Sequence, residues 1–251
     1  MRAKQQRRIC YVLFIILLLW QNISITAAAL PLPSNHHLPT TENMGEDYLD
    51  TLYFFGESTT AHLTRIGGVF DNSRHRHQVL RDDSGTRTLD LRTSQSPVLL
   101  DGIRYSFAEA VRTITPPILV LSFGLNGLPH FLQDKNAYIK AYQALISTIQ
   151  AASPKTKIIL QSVYPVCNTA NFAVDTDTLN QNISTINLWV EELAAATEGV
   201  WFADTASFLK DARGWLLPEY DNGDGIHLTN TAYQKILSYF ATHALCVRYI
   251  K

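Results

Sequence analysis

The sequence predicts an α/β domain, a parallel sheet covered by helices. Three observations lead there. Short apolar runs alternate with longer segments of helical periodicity, which is the pattern of strand, helix and strand in succession. The chain has 251 residues, 46% hydrophobic and 17% charged, enough to bury a sizeable core as one domain. Polar clusters recur just beyond the carboxyl ends of the strand candidates, the place where open parallel sheets bind ligands.

Taken in order, the chain opens with Arg2, Lys4, Arg7 and Arg8, then the apolar run Ile9 to Trp20, then Thr26-Ala27-Ala28-Ala29. A basic start, an apolar run of this length and small residues after it outline a secretory leader over residues 1–29. An N-terminal membrane anchor is the alternative, because Ile23, Ser24, Ile25 and the alanines extend the apolar stretch. Either reading places the rest of the chain outside the cytoplasm. Residues 30–48 carry Pro31, Pro33 and Pro39 without periodicity and read as a linker, leaving 49–251 as the domain.

Within the domain five strands are expected: Leu52 to Phe55, Val79 to Arg81, Ile118 to Phe123, Lys157 to Val163 and Val200 to Ala203. Helices are expected over Thr59 to Ile66, Tyr105 to Ile114, Asn136 to Ala152, Leu179 to Thr197 and Asn230 to Ala244. Cys167 follows a strand ending at the expected site, whereas Cys246 lies beyond a final helix that leads away from it. Such a helix separates two levels by roughly 20 Å, too far for a disulfide, so both thiols are expected to be free. A net charge of −1 without a basic stripe gives no electrostatic footprint for nucleic acid.

The chemistry sits in the loops. Ser58 follows the first strand, and Asp224-Gly225-Ile226-His227 precedes the last helix. A hydroxyl is a weak nucleophile until an imidazole takes its proton, and an acid three residues before that imidazole can hold its tautomer. Each residue also has a plainer reading, Ser58 as a helix cap and Asp224 as a turn residue. The Asn126 amide in Gly124-Leu125-Asn126, with the backbone N–H groups of Ser58 and Gly85, would form an oxyanion hole, although both glycine segments also read as simple turns. His62 stands one turn after Ser58 as a rival base without an adjacent acid. His75-Arg76-His77 reads as a solvated loop rather than a metal site, Asn182-Ile183-Ser184 as a glycosylation acceptor, and Trp189 and Trp201 as core.

Together Gly56-Glu57-Ser58-Thr59, Gly85, Gly124-Leu125-Asn126 and Asp224-Gly225-Ile226-His227 resemble, in order, the sequence blocks of the SGNH or GDSL hydrolase family. The resemblance runs from about residue 50 to the end. It implies a flavodoxin-like three-layer α/β/α sandwich with a five-stranded parallel sheet. It also implies a triad of Ser58, Asp224 and His227 and metal-free ester hydrolysis needing no cofactor. The chain departs from the family pattern at Glu57, where Asp is usual, and at Gly127, where Asp is common, which bears on loop geometry and substrate fit.

The expected function is an extracytoplasmic serine esterase acting through an acyl-enzyme on Ser58. Its partner is a small-molecule or polysaccharide ester, with short acyl groups on a carbohydrate preferred because no long apolar lid is evident. Membrane contact would come only through an uncleaved N-terminal segment. Lipase, thioesterase and acyltransferase activities would use the same triad. A silent glycan-binding module is the rival from another class, disfavoured because a binder has no need of all three residues.

Overall fold

The computed structural model describes residues 36–82, 87–170 and 174–245. All of them fall in the unit Pro33–Lys251. The leader, Gly85 and Cys246 lie outside the described residues. No helix among the described residues is long and apolar enough to cross a membrane.

Four strands, β1 (Leu52–Gly56), β4 (Ile118–Ser122), β5 (Lys157–Gln161) and β6 (Val200–Ala203), form one sheet in the order β1-β4-β5-β6. Every pairing is parallel, with Leu52 opposite Ile118, Ile118 opposite Lys157 and Ile158 opposite Val200. The strands are nearly continuous apolar runs because both faces are covered. Phe55, Leu119, Leu121, Ile158 and Leu160 belong to one buried cluster, whereas their neighbours Leu52, Phe54, Ile118, Val120 and Ile159 belong to the other. Helices α3 (Phe107–Ile114), α5 (Lys135–Ala152) and α6 (Thr176–Ala195) supply the first cluster. Helices α1 (Gly45–Leu49) and α7 (Asn230–Thr242) supply the second. The result is three layers, α/β/α, as expected.

The sheet has four strands, not five. The segment expected as a strand over Val79 to Arg81 makes a single parallel bridge, Phe54 to Val79, with Leu80 N–H donating to the Phe54 carbonyl at 2.8 Å. A 3-10 turn over Arg74–Gln78 delivers the chain to that point. Immediately afterwards the Arg81 carbonyl accepts from Leu99 N–H at 2.9 Å instead of extending the ladder on β1. Leu99 belongs to an unexpected antiparallel hairpin, β2 (Pro97–Leu100) with β3 (Ile103–Ser106), so Tyr105 is strand rather than helix.

Helix boundaries follow local capping chemistry. Ser106 and Glu109 form a reciprocal capping box at the start of α3, and Thr115 in the left-handed region ahead of Pro116 ends it. Asp134, Asp175 and Thr229 each accept a backbone N–H at the N-termini of α5, α6 and α7. Residues 36–48 are laid against the domain. Leu38 N–H donates to the Phe202 carbonyl, Phe202 N–H donates to the His36 carbonyl, and Leu38, Tyr48 and Leu49 are buried. Cys167 is a free, buried thiol. The acceptor Asn182 sits within α6. Trp189 and Trp201 are half-buried against the two clusters, each beneath a lysine ammonium at 5.4 Å.

Candidate active site

The first site residue is placed by the turn between β1 and α2 (Ser58–Ala61), a short helix that runs directly into a 3-10 turn over His62–Thr64. Gly56 permits this turn. A Cβ there would lie 2.5 Å from the Ser122 carbonyl oxygen on the neighbouring strand. Ser58 therefore emerges at the carboxyl end of β1, on the rim where parallel sheets present ligand sites.

His227 is carried by the loop ahead of α7, which is organised by its own carboxylates. Asp221 accepts the N–H groups of Gly223 and Gly225 at 3.1 and 2.8 Å, and Asp224 Oδ1 accepts those of Ile226 and His227 at 2.9 and 2.8 Å. Gly225, at φ +82°, presses against the 167–170 loop, where a Cβ would come within 2.6 Å of Ala170, while its carbonyl accepts Cys167 N–H. The two loops lock each other.

Ser58, 169 residues away in sequence, lies with its Oγ 2.9 Å from His227 Nε2. His227 Nδ1 lies 2.7 Å from Asp224 Oδ2. Burial raises the Asp224 pKa, but the N–H groups of His227 and Ile226 and the imidazole outweigh it and hold the carboxyl at about 2. Asp224 is thus an anion at any working pH, suited to orient the ring and to face an imidazolium. The arrangement can move a proton from the hydroxyl to the ring.

Glu57, read from sequence as a departure, is a structural centre of the rim. Its buried carboxyl group accepts the N–H groups of Gly124, Leu125 and Asn126 at 2.9, 3.1 and 3.1 Å. This ties the Asn126 loop, at the carboxyl end of β4, to the residue preceding Ser58. Burial pushes the Glu57 pKa up to about 8, against the pull of those three donors. The same loop is held from below by Tyr138, whose hydroxyl donates to the Phe123 carbonyl at 2.9 Å, and by Tyr142, whose hydroxyl accepts Phe123 N–H at 3.1 Å. The Asn126 side-chain amide donates one hydrogen to the Arg87 carbonyl at 2.7 Å, which fixes its plane. Gly85 lies outside the described residues.

His62 does not pair with Ser58. Its ring stacks on His227 with centroids 3.7 Å apart and planes 18° from parallel. Burial, then the neighbouring His227 and Arg65, lower its pKa to about 4, so the stacked ring is neutral. Sequence reasoning missed this role and that of Glu57. The available signal for Glu57 was an acid enclosed between a glycine and the candidate nucleophile in an otherwise apolar segment. A groove of about 740 Å³ runs past Tyr53, Arg81, Leu100 and Tyr105 and contains none of the three hydrogen-bonded residues. Its size alone does not make it the reaction site, because the proton-transfer geometry lies elsewhere.

A parallel sheet flanked by helices on both faces, with this rim at its carboxyl ends, is an α/β fold of the kind the SGNH hydrolases have. The profile of the GDSL-like lipase/acylhydrolase family matches residues 54–235, and the chain belongs to that family. No curated protein matches the chain. Solved structures are similar at low identity. A chain from Streptococcus pneumonia is 22% identical with TM-score 0.49, covering 76% of this chain and 81% of that one. A GDSL-like lipase from Bacteroides thetaiotaomicron VPI-5482 is 22% identical with TM-score 0.46, covering 74% and 83%. A catalytic mutant of an acetylxylan esterase from Geobacillus stearothermophilus is 16% identical with TM-score 0.48, covering 79% and 96%.

Proposed function

We propose that the chain is a serine esterase that cleaves carboxylic esters through an acyl-enzyme on Ser58. The observation that carries this is the unbroken relay from Ser58 Oγ through His227 to Asp224, at 2.9 and 2.7 Å. Ser58 Oγ bonds to the ester carbonyl carbon as its proton passes to His227 Nε2. The tetrahedral intermediate collapses, the carbon–oxygen bond to the alcohol breaks, and His227 returns the proton to that oxygen. Water then repeats the sequence on the acyl-enzyme, releasing the acid and regenerating Ser58. Asp224 stabilises the imidazolium in both halves. The Ser58 and Gly85 N–H groups and the second N–H of the Asn126 amide receive the oxyanion. The preferred substrate is a short acyl ester on a carbohydrate outside the cytoplasm, a reading supported by the leader-like segment Arg2 to Ala29.

The test is turnover of p-nitrophenyl acetate together with labelling by a fluorophosphonate mapped to its peptide. Wild type is expected to react, with the adduct on Ser58, and Ser58→Ala to lose both, turnover falling by roughly 10⁴-fold or more. Equal rates in the two proteins would remove the esterase reading. A series from acetate to palmitate tests the acyl preference, which fails if the long chains are turned over best.

A further inference from the structure

We propose that His36, His37 and Glu191 form a binding site for a divalent cation, matched to Zn²⁺, which fastens the segment before α1 to helix α6. The site is remote in sequence from the rim residues and takes no part in the proposed hydrolysis.

The geometry is unusual for its backbone. Residues 36–38 run as an extra parallel rung on β6, with Phe202 N–H donating to the His36 carbonyl at 2.7 Å and Leu38 N–H to the Phe202 carbonyl at 3.2 Å. Successive side chains of an extended segment ordinarily point to opposite faces. Here both imidazoles reach the same carboxylate oxygen: Glu191 Oε1 lies 2.8 Å from His37 Nε2 and 3.6 Å from His36 Nε2. The two rings are 4.5 Å apart, and the His37 ring stands edge-on to Phe202 at 5.4 Å, which sets its direction.

The three ligand atoms lie within 4.8 Å of one another. A tetrahedral Zn²⁺ with bonds of about 2.0–2.2 Å holds its ligand atoms roughly 3.3 Å apart, and the two distances to Glu191 bracket that value. Two imidazole nitrogens and one carboxylate suit Zn²⁺ over Ca²⁺ or Mg²⁺, which prefer oxygen cages. Three protein ligands leave a fourth position for water. The donors come from the N-terminal segment and from α6, so the ion would cross-link two parts of the chain far apart in sequence.

Zn²⁺ titrated calorimetrically into the full chain is expected to fill one site, and Glu191→Gln and His37→Ala to weaken it by roughly 10-fold or more while leaving the far-UV circular dichroism unchanged. In parallel, Zn²⁺ is expected to slow proteolytic cleavage between residues 30 and 44 in wild type and not in the variants. Unchanged affinity and stoichiometry in both variants would overturn the site. Should either variant misfold, the Co²⁺ spectrum of wild type decides. Intense visible bands of a four-coordinate ion, displaced by Zn²⁺, support the site, and a weak octahedral spectrum rejects it.

Discussion

At the scale of single residues, the proposed hydrolysis gives the stack of His62 on His227 the part of a positioning device. A neutral ring held 3.7 Å from the base fixes the plane in which Nε2 meets Ser58. His62→Ala is expected to lower kcat for p-nitrophenyl acetate by roughly 10-fold with little change in KM, since misplacing a reacting group costs rate more than binding. His62→Phe should restore most of the loss because it restores a flat ring, and failure of that rescue would assign His62 a different role. Glu57 makes a prediction about pH. Its folded pKa of about 8 lies above the ordinary 4.5, so its contribution to stability is fully present below 4.5 and is lost as pH rises through 8. The urea midpoint of wild type relative to Glu57→Gln should therefore decline between pH 5 and 8. Glu57→Ala would strand three N–H donors and cost about 1–3 kcal/mol for each. The Asp224 and His227 pair was legible in sequence because three residues of separation let one carboxylate reach both its own loop and the ring. His62 was not. Its direction depends on α2 tightening into a 3-10 turn at His62 itself, which no spacing rule reports. His75 shows the same limit. Read as solvated, it is buried, with hydrogen bonds to Gln78 at 2.6 Å and Glu46 at 2.9 Å.

At the scale of elements, the helix that carries Ser58 is only four residues long and depends on its neighbours for order. Tyr233, fully buried on α7, donates its hydroxyl to the Thr59 carbonyl at 2.6 Å and so ties the last long helix to the turn after β1. Tyr233→Phe removes that bond and leaves the carbonyl without this donor. A loss of about 1 kcal/mol is expected by urea unfolding, together with a fall in acetate turnover. Unchanged turnover would show that α2 is held by packing alone. The four sheet strands could be read because burial on both faces makes each a dense apolar run. The Val79 segment could not be distinguished from them. It is apolar for the same reason, contact with Phe54, yet its ladder ends after one bridge. The hairpin escaped notice because no residue of its second strand is fully buried: Ile103 and Arg104 are exposed and Tyr105 and Ser106 half-buried, with no alternation to mark a strand.

At the scale of the whole molecule, the described domain begins before the first strand of its sheet, and this was hidden by proline. Pro39 and the lack of periodicity made residues 30–48 look like a tether, but the hydrogen bonds that order residues 36–48 are made to distant parts of the chain. Thr41 N–H donates to the Thr242 carbonyl and Met44 N–H to that of Ala241, both at 2.8 Å, while the Tyr48 hydroxyl accepts Leu245 N–H at 3.0 Å. Local pattern cannot report partners some two hundred residues away. A chain starting at residue 36 and one starting at residue 50 separate the two descriptions. The second loses the buried side chains of Leu38, Tyr48 and Leu49, which pack with Phe240, Ala241 and Leu245 of the second cluster. At about 1.5–3 kcal/mol for each large apolar side chain withdrawn from water, the shorter chain should be less stable by several kcal/mol. It also exposes the lateral edge of β6 that residues 36–38 cover, so it should aggregate more readily. Equal unfolding midpoints for the two chains would return the segment to the status of a tether and place the start of the cooperative domain at Leu52.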